Sequence, residues 1–258
     1  MSRRRPIQFD CEGASLSGTL DVADGDTGLL LVSGGNEIRS GSWAGQAQLA
    51  ARIAAAGHPV MRYDRRGIGD SEGENAGFKG CEADIAAALG AFRGELPHLR
   101  RVVAFGNCDA ASALMLARDR LGFDGLVLAN PWVIEAGNEA VQAPAAIRQR
   151  YAQKLVDPRE WLRLLRGGLD LRKVASGLRR ASAPAPRSSL AEAMQAGLEE
   201  FAGPVVILLA TRDRTAQLFA AAWPSDDPRV SRIDSASHSF SDEPARDWLF
   251  EQILKALA

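Results

Sequence analysis

The chain alternates short runs of apolar residues with longer segments in which apolar residues recur every three or four positions. Short continuous apolar runs are typical of strands buried on both faces, and the longer period is typical of helices packed against a sheet. The predicted strands are Gly28–Ser33, Pro59–Tyr63, Arg101–Phe105, Leu126–Ala129, Pro204–Ala210 and Arg229–Ile233. The predicted helices are Trp43–Ala56, Cys81–Phe92, Ala110–Leu121, Thr215–Ala222 and Pro244–Leu257. This order predicts an α/β fold with a mainly parallel central sheet and helices on both faces.

Two regions depart from this alternation. Residues Ile7–Val22 alternate apolar and polar positions around two glycines, which predicts an antiparallel hairpin at one edge of the sheet. Between residues 132 and 200 the strands stop, and the pattern predicts helices at Ala145–Leu155 and Pro158–Leu165 and an irregular connector at Ala181–Ser189. We therefore predict a core of residues 1–131 and 201–258, with residues 132–200 inserted as a helical lid.

Composition narrows the classes of function. The chain has 258 residues, 46% of them hydrophobic and 24% charged, as in an ordinary globular protein, and its net charge of -1 gives no reason to expect nucleic acid as a partner. No stretch approaches the roughly 20 apolar residues that span a bilayer, and no secretory signal follows the first arginines, so we expect a cytoplasmic protein without a membrane span. The three cysteines lack close pair spacing, which argues against a disulfide framework or a cysteine-rich metal site. We predict no cofactor and no metal.

A strand, a tight turn and a small-residue helix surround Cys108. In a nucleophile elbow the reactive side chain occupies this turn, and the residues two positions away are small so that backbones can approach closely. Gly106 and Ala110 meet that need, although glycine is usual at the second position. A helix start and a histidine partner both favour the thiolate form of a cysteine. Cys108 is therefore the candidate nucleophile; the alternative is a small buried core residue.

The candidate base and acid follow the last two predicted strands. His238 lies after the final strand, at the edge where sites of parallel sheets gather, whereas His58 and His98 precede strands and should lie at the opposite edge. Asp213 follows the preceding strand and could accept the imidazole N–H. The order nucleophile, acid, histidine favours these roles. The alternatives are a surface histidine and a turn aspartate paired with a neighbouring arginine.

Backbone N–H groups near Cys108 are candidates for an oxyanion hole. We expect one from Asp109, directly after the nucleophile, and the other from Gly35 or Asn36, after the first buried strand. Asp109 also brings a negative charge that opposes ionisation of the thiol if its carboxylate points inward. The glycine-rich loop Asp64–Ser71 lacks the lysine of a phosphate-binding loop, and we interpret it as a structural turn.

The chain resembles the α/β-hydrolase superfamily over nearly its whole length. The residues that carry this resemblance are Ser33–Gly35, Asp64–Ser71, Gly106–Ala110, Asp213 and His238. Within the superfamily it is similar to the first of the two hydrolases associated with the bacterial exosortase A system, through Gly34–Ser42, Arg62–Asp64 and Gly106–Ser112. That resemblance implies a cysteine at the elbow and a role near exopolysaccharide biosynthesis and export, in association with that machinery.

The sequence thus predicts an α/β-hydrolase that acts on a small-molecule ester or thioester through an acyl-enzyme on Cys108. An acyltransferase would use the same triad and would differ only in excluding water. A non-catalytic scaffold that retained the fold is the third hypothesis, because a fold does not dictate function.

Overall fold

One eight-stranded sheet organises the molecule, with the strand order β1-β2-β4-β3-β5-β6-β7-β8. The computed structural model describes residues 3–134 and 189–258. The strands are β1 Arg3–Cys11, β2 Ala14–Val22, β3 Thr27–Val32, β4 Val60–Tyr63, β5 Arg101–Asn107, β6 Gly125–Ala129, β7 Val205–Ala210 and β8 Val230–Ile233. The α-helices in these ranges are α1 Gly45–Ala55, α2 Glu82–Glu95, α3 Asp109–Leu116, α4 Ser189–Glu199, α5 Arg214–Ala222 and α6 Glu243–Leu257.

The sheet is parallel except at one edge. Strands β1 and β2 pair antiparallel as the predicted hairpin, and β2 pairs antiparallel with β4. From β4 across to β8 every neighbouring pair is parallel. The predicted α/β fold with its mainly parallel sheet is therefore confirmed.

Helices cover both faces of the sheet and bury its strands. Every residue of β3 is buried, because Leu29 and Leu31 face one side and Leu30 and Val32 face the other. Helices α1 and α6 cover the first side, and α2, α3, α4 and α5 cover the second. Burial on both faces explains why these strands are continuous apolar runs and not alternating ones.

The helix after the elbow is shorter than its sequence pattern predicted. It was expected to extend over Ala110–Leu121, but α3 ends at Leu116 and a 3-10 helix covers Arg118–Leu121. The chain then turns at Gly122, whose φ of 71° is accessible to glycine at little cost. The pattern that predicted one helix therefore extends over an α-helix and the 3-10 helix that follows it.

Most of the predicted lid lies outside the described residues. The predicted helices Ala145–Leu155 and Pro158–Leu165 lie there, as does the connector except for Ser189. The division into core and lid stays a prediction. Helix α4 lies at the described end of this segment and buries Leu190, Ala191, Met194 and Leu198 in the core beside α3.

Two kinds of feature are absent from residues 3–134 and 189–258. No group of three or more histidine, cysteine, aspartate or glutamate side chains there could hold a metal ion. No helix in those ranges is both long and apolar enough to cross a membrane.

Candidate active site

The predicted site residues gather where parallel strands end. Cys108 follows β5, Asp213 lies beyond β7 and His238 lies beyond β8, and these strands run in the same direction. His58 instead precedes β4, and its Nδ1 lies 3.0 Å from the carbonyl oxygen of Thr27, the first residue of β3. The sheet thus separates the histidine of the site from this one, as the sequence predicted.

The turn at Cys108 has the strained geometry of a nucleophile elbow. Cys108 has φ 61° and ψ -126°, in a region that residues other than glycine rarely adopt. A Cβ on Gly106 would lie 2.7 Å from the carbonyl carbon of Ala110 and the nitrogen of Ala111, so the backbone of α3 requires glycine there. The elbow therefore presents the cysteine side chain at the end of the sheet.

Hydrogen bonds to neighbouring segments hold the elbow in place. The Cys108 N–H donates to the carbonyl of Ala129 at 2.9 Å, and the Trp132 N–H lies 3.2 Å from the Cys108 carbonyl oxygen. The Ser112 hydroxyl donates to the Trp132 carbonyl at 2.7 Å and accepts from the Trp132 N–H at 2.8 Å. Strained backbone persists only where its surroundings determine it, and these bonds provide that constraint.

Cys108 differs from the other two cysteines in exposure. Cys11 and Cys81 are buried, whereas Cys108 is partly exposed. Burial, reinforced by the Asp84 carboxylate, raises the pKa of the Cys11 thiol to about 11. Burial also raises the pKa of Cys81. Cys108 is therefore the thiol that a reagent or a substrate can reach.

The Asp213 carboxylate holds the imidazole of His238. The Nδ1 atom of His238 lies 3.1 Å from Oδ2 of Asp213, whose side chain is 9% exposed. The same oxygen accepts the N–H of Ala216 at 2.9 Å, which makes Asp213 the N-cap of α5. Arg212, one of the two arginines that flank Asp213, forms an ion pair with Asp234 at 2.8 Å.

This arrangement makes the imidazole an unusually strong base. The hydrogen bond with Asp213, followed by the interaction with Cys108, raises the pKa of His238 to about 10 against the opposing effect of burial. An imidazole with that pKa carries a proton at neutral pH. The structure therefore combines a carboxylate-oriented imidazole with a partly exposed cysteine at the elbow.

Two asparagines that the sequence analysis missed fix the loop of His238. The Nδ2 groups of Asn107 and Asn130 donate to the carbonyl oxygen of His238 at 3.2 and 3.0 Å. Asn130 is fully buried, and its Oδ1 accepts the Ala210 N–H at 2.9 Å. Asn107 ends β5 and Asn130 directly follows β6, so their signal in the sequence was a polar residue at the end of a buried strand. We refer to this pair as the amide clamp.

The oxyanion side of the site contains an unexpected contact. The Gly35 N–H, one of the predicted donors, donates to Oδ1 of Asp109 at 2.6 Å. Arg65 donates to the carbonyl oxygen of the same glycine through Nη2. Asp109 is the first residue of α3, so its own N–H lacks an intrahelical partner. Asn36, the other candidate, is exposed and accepts a hydrogen bond from Asn75 at 2.9 Å.

The loop Asp64–Ser71 is organised around a buried carboxylate. Asp64 accepts N–H groups of Arg39 at 2.5 Å and Asp70 at 3.1 Å, and it forms an ion pair with the Arg39 side chain. A carboxylate at this position would repel a phosphate. These contacts support the interpretation of the loop as a structural turn that braces the segment after β3.

Solved structures of hydrolases share this fold at low sequence identity. An esterase of Pyrococcus furiosus matches with a TM-score of 0.63 and 15% identity, covering 100% of this chain and 92% of that one. GrgF, an alpha/beta hydrolase from Penicillium sp. sh18, matches with a TM-score of 0.63 and 18% identity over 99% and 98% of the two chains. A thioesterase domain from the curacin biosynthetic pathway matches with a TM-score of 0.56 and 13% identity over 98% and 99%.

Sequence comparison identifies the family. No curated protein matches the chain. The model of the alpha/beta hydrolase family, in contrast, matches residues 29–251, a range that contains the elbow, Asp213 and His238. The chain therefore belongs to the alpha/beta hydrolase family.

Proposed function

We propose that this protein is a cytoplasmic hydrolase that cleaves a small-molecule ester or thioester through a triad of Cys108, His238 and Asp213. The observation that carries the proposal is the position of the His238 imidazole, which is hydrogen-bonded to Asp213 at 3.1 Å and whose pKa is raised further by its interaction with Cys108. A thiolate beside an imidazolium can attack a carbonyl carbon without a further base.

The proposed reaction has two steps. In the first, the Sγ thiolate of Cys108 bonds to the acyl carbon and the carbonyl electron pair moves to oxygen. That pair then re-forms the carbonyl as the bond to the leaving group breaks and the leaving group takes the proton of the His238 imidazolium. In the second, neutral His238 accepts a proton from water, hydroxide bonds to the acyl carbon, and the carbon–sulfur bond breaks to release the acid and the thiolate. Asp213 orients the imidazole throughout.

The substrate class comes from chemistry shared with similar proteins. One structural neighbour is named an esterase and another a thioesterase, and both names describe acyl cleavage. The resemblance to exosortase-associated hydrolases supports a substrate that belongs to exopolysaccharide biosynthesis or export. We therefore propose an acyl group carried on a small alcohol or thiol that serves that pathway.

The pH dependence of alkylation by iodoacetamide tests the triad. We expect Cys108 of the wild-type protein to react at neutral pH, and we expect His238→Ala to shift this reactivity to the alkaline range of an ordinary thiol, near pH 8.5 as a rough guide. Cys11 and Cys81 are buried, and Cys108→Ala provides the background rate from them. An ester and thioester screen follows, in which Cys108→Ala should lose all turnover. An alkylation profile that His238→Ala leaves unchanged contradicts the triad.

A non-catalytic scaffold is the second candidate. The observation in its favour is the Asp109 carboxylate, which occupies the N–H of Gly35 where an oxyanion donor is needed. A reactive thiolate without acyl transfer to any ester or thioester is the result that this candidate predicts.

An acyltransferase differs from a hydrolase only in the acceptor, and partition of the acyl group between water and an added alcohol measures that difference.

A further inference from the structure

The oxyanion side of the site is closed by one of its own residues. Oδ1 of Asp109 lies 2.6 Å from the Gly35 nitrogen. It is also 2.6 Å from the position that a Cβ on Gly34 would take, so the carboxylate lies directly against this glycine pair. An oxyanion would need the same N–H at about 2.7–3.1 Å. The carboxylate and a developing oxyanion cannot both occupy that position.

We propose that Asp109 is an internal competitor for the oxyanion hole, so that an acyl substrate reacts only after its carbonyl displaces the Asp109 carboxylate from the Gly35 N–H. This inference rests on the proposed cysteine hydrolase. In this role Asp109 selects among substrates, because the substrate carbonyl must replace a charged hydrogen bond. Only an acyl group that gains binding energy from other contacts, or that has a strongly polarised carbonyl, can do so.

Contacts around the glycine pair indicate that the donor stays in place when the carboxylate leaves. Arg65, a residue only 2% exposed, holds the Gly35 carbonyl from the opposite side. The Glu37 N–H donates to the Gly34 carbonyl at 3.0 Å and closes the turn. These two bonds involve neither Asp109 nor its helix. The Asp109 side chain, in contrast, belongs to a half-buried residue at the start of α3, and the proposal requires only this side chain to move.

Two probes of the same thiol separate this effect from thiol reactivity. Iodoacetamide forms a carbon–sulfur bond and releases iodide without passing through an oxyanion. Para-nitrophenyl acetate transfers its acetyl group to sulfur through an oxyanion and releases nitrophenolate. The ratio of acylation rate to alkylation rate, each taken at its pH-independent maximum, therefore measures oxyanion stabilisation alone.

We expect Asp109→Ala to raise this ratio by at least about tenfold, because it removes a charge-assisted competitor. Asp109→Asn retains an oxygen acceptor without the charge, so its ratio should lie between those of the wild type and Asp109→Ala. Far-ultraviolet circular dichroism establishes that both variants are folded. Arg65→Met is the contrasting variant: loss of its bond to the Gly35 carbonyl should lower the ratio.

The outcomes distinguish this proposal from the proposed function. A ratio that Asp109→Ala leaves unchanged or lowers overturns the competitor role, and a lowered ratio would mean that the carboxylate supports the glycine pair. Either result leaves the triad intact if iodoacetamide still reacts at neutral pH in a manner that depends on His238. Loss of that dependence in the wild-type protein would overturn the triad itself.

Discussion

The two sides of the candidate site differ in how far they are assembled. On the triad side, the imidazole of His238 already contacts its carboxylate, and the amide clamp fixes its loop from two strands. On the oxyanion side, the Gly35 N–H is in use by Asp109. Both sides lie at the carboxyl ends of strands of the same parallel sheet, so the fold alone does not determine which side is ready for chemistry.

Selectivity for substrates can reside on the oxyanion side, separately from the reactivity of the thiol. A triad assembled before substrate binds would set the ionisation of the thiol independently of the substrate. The thiol would then react with any small electrophile that reaches it. An occupied oxyanion donor instead makes acyl transfer depend on what the substrate carbonyl can displace. Reactivity toward alkylating agents and reactivity toward esters should therefore respond to different residues.

Two substitutions of Asp213 should have the largest effect on the triad side. Asp213→Asn places an amide against Nδ1 and favours the wrong tautomer, so we expect kcat/KM for an ester to fall by about 10²- to 10⁴-fold. Asparagine is as good an N-cap as aspartate, so α5 should keep its stability. Asp213→Ala should lose the same activity and also about 1 kcal/mol of unfolding free energy, because Ala216 loses its acceptor.

Kinetic assays and urea unfolding of both variants measure these effects. Equal unfolding free energies for the two variants would mean that the cap contributes nothing. Activity of Asp213→Asn within about threefold of the wild type would exclude Asp213 as the acid, since removal of an acid–base partner has a much larger effect.

The sequence predicted the backbone of the site better than its side-chain contacts. Cys108, Asp213 and His238 could be placed because each follows a buried strand, and parallel strands end at one edge. The direction of the Asp109 carboxylate could not be predicted, because it depends on the positive φ of Cys108 and on how closely β3 and β5 lie. Residue type and spacing contain neither quantity.

The amide clamp escaped prediction for a related reason. An asparagine after a strand is as typical of a turn as of a functional contact. Only the register of β5, β6 and β7 brings Asn107 and Asn130 to the same carbonyl oxygen.

The end of α3 differed from its predicted position because a 3-10 helix keeps apolar residues on the same side as an α-helix over one turn.

Removal of the amide clamp should have a smaller effect than the Asp213 substitutions. We expect Asn107→Ala and Asn130→Ala each to lower the His238-dependent alkylation rate at neutral pH by about two- to tenfold, because each removes one hydrogen bond that positions the loop. The double variant should lose more than the product of the two, since one donor remains on the His238 carbonyl in each single variant. Alkylation rates as a function of pH measure this coupling.

Stability measurements separate positioning from folding in these variants. Asn130→Ala also leaves the buried Ala210 N–H without its acceptor and should cost about 1–3 kcal/mol of unfolding free energy. Asn107→Ala removes one donor from the His238 carbonyl, which still accepts from Asn130, so no backbone group loses its last partner through this bond. If the alkylation rates follow the unfolding free energies and not the number of donors on the carbonyl, the clamp is a structural feature only.

The smallest expected effect is a dependence of stability on pH that comes from His238. Its pKa is raised to about 10 in the folded protein and is about 6.5 in an unfolded chain, so the folded state binds the additional proton between these values. The resulting stabilisation is complete below about pH 6.5 and is lost as the pH rises through about 10. Because the pair is partly exposed, we expect about 1 kcal/mol or less.

Urea unfolding from pH 6 to pH 10 of the wild type and of His238→Gln isolates this contribution, because other titrating groups cancel in the difference. The difference should shrink as the pH rises, and it should shrink less in an Asp213→Asn background, where the first cause of the raised pKa is absent. A difference that is constant with pH would mean that the imidazole binds its proton equally in the folded and unfolded states, so that it is largely neutral in both above about pH 7. The thiol of Cys108 would then lack its cation, and the triad side would be no more prepared for reaction than the oxyanion side.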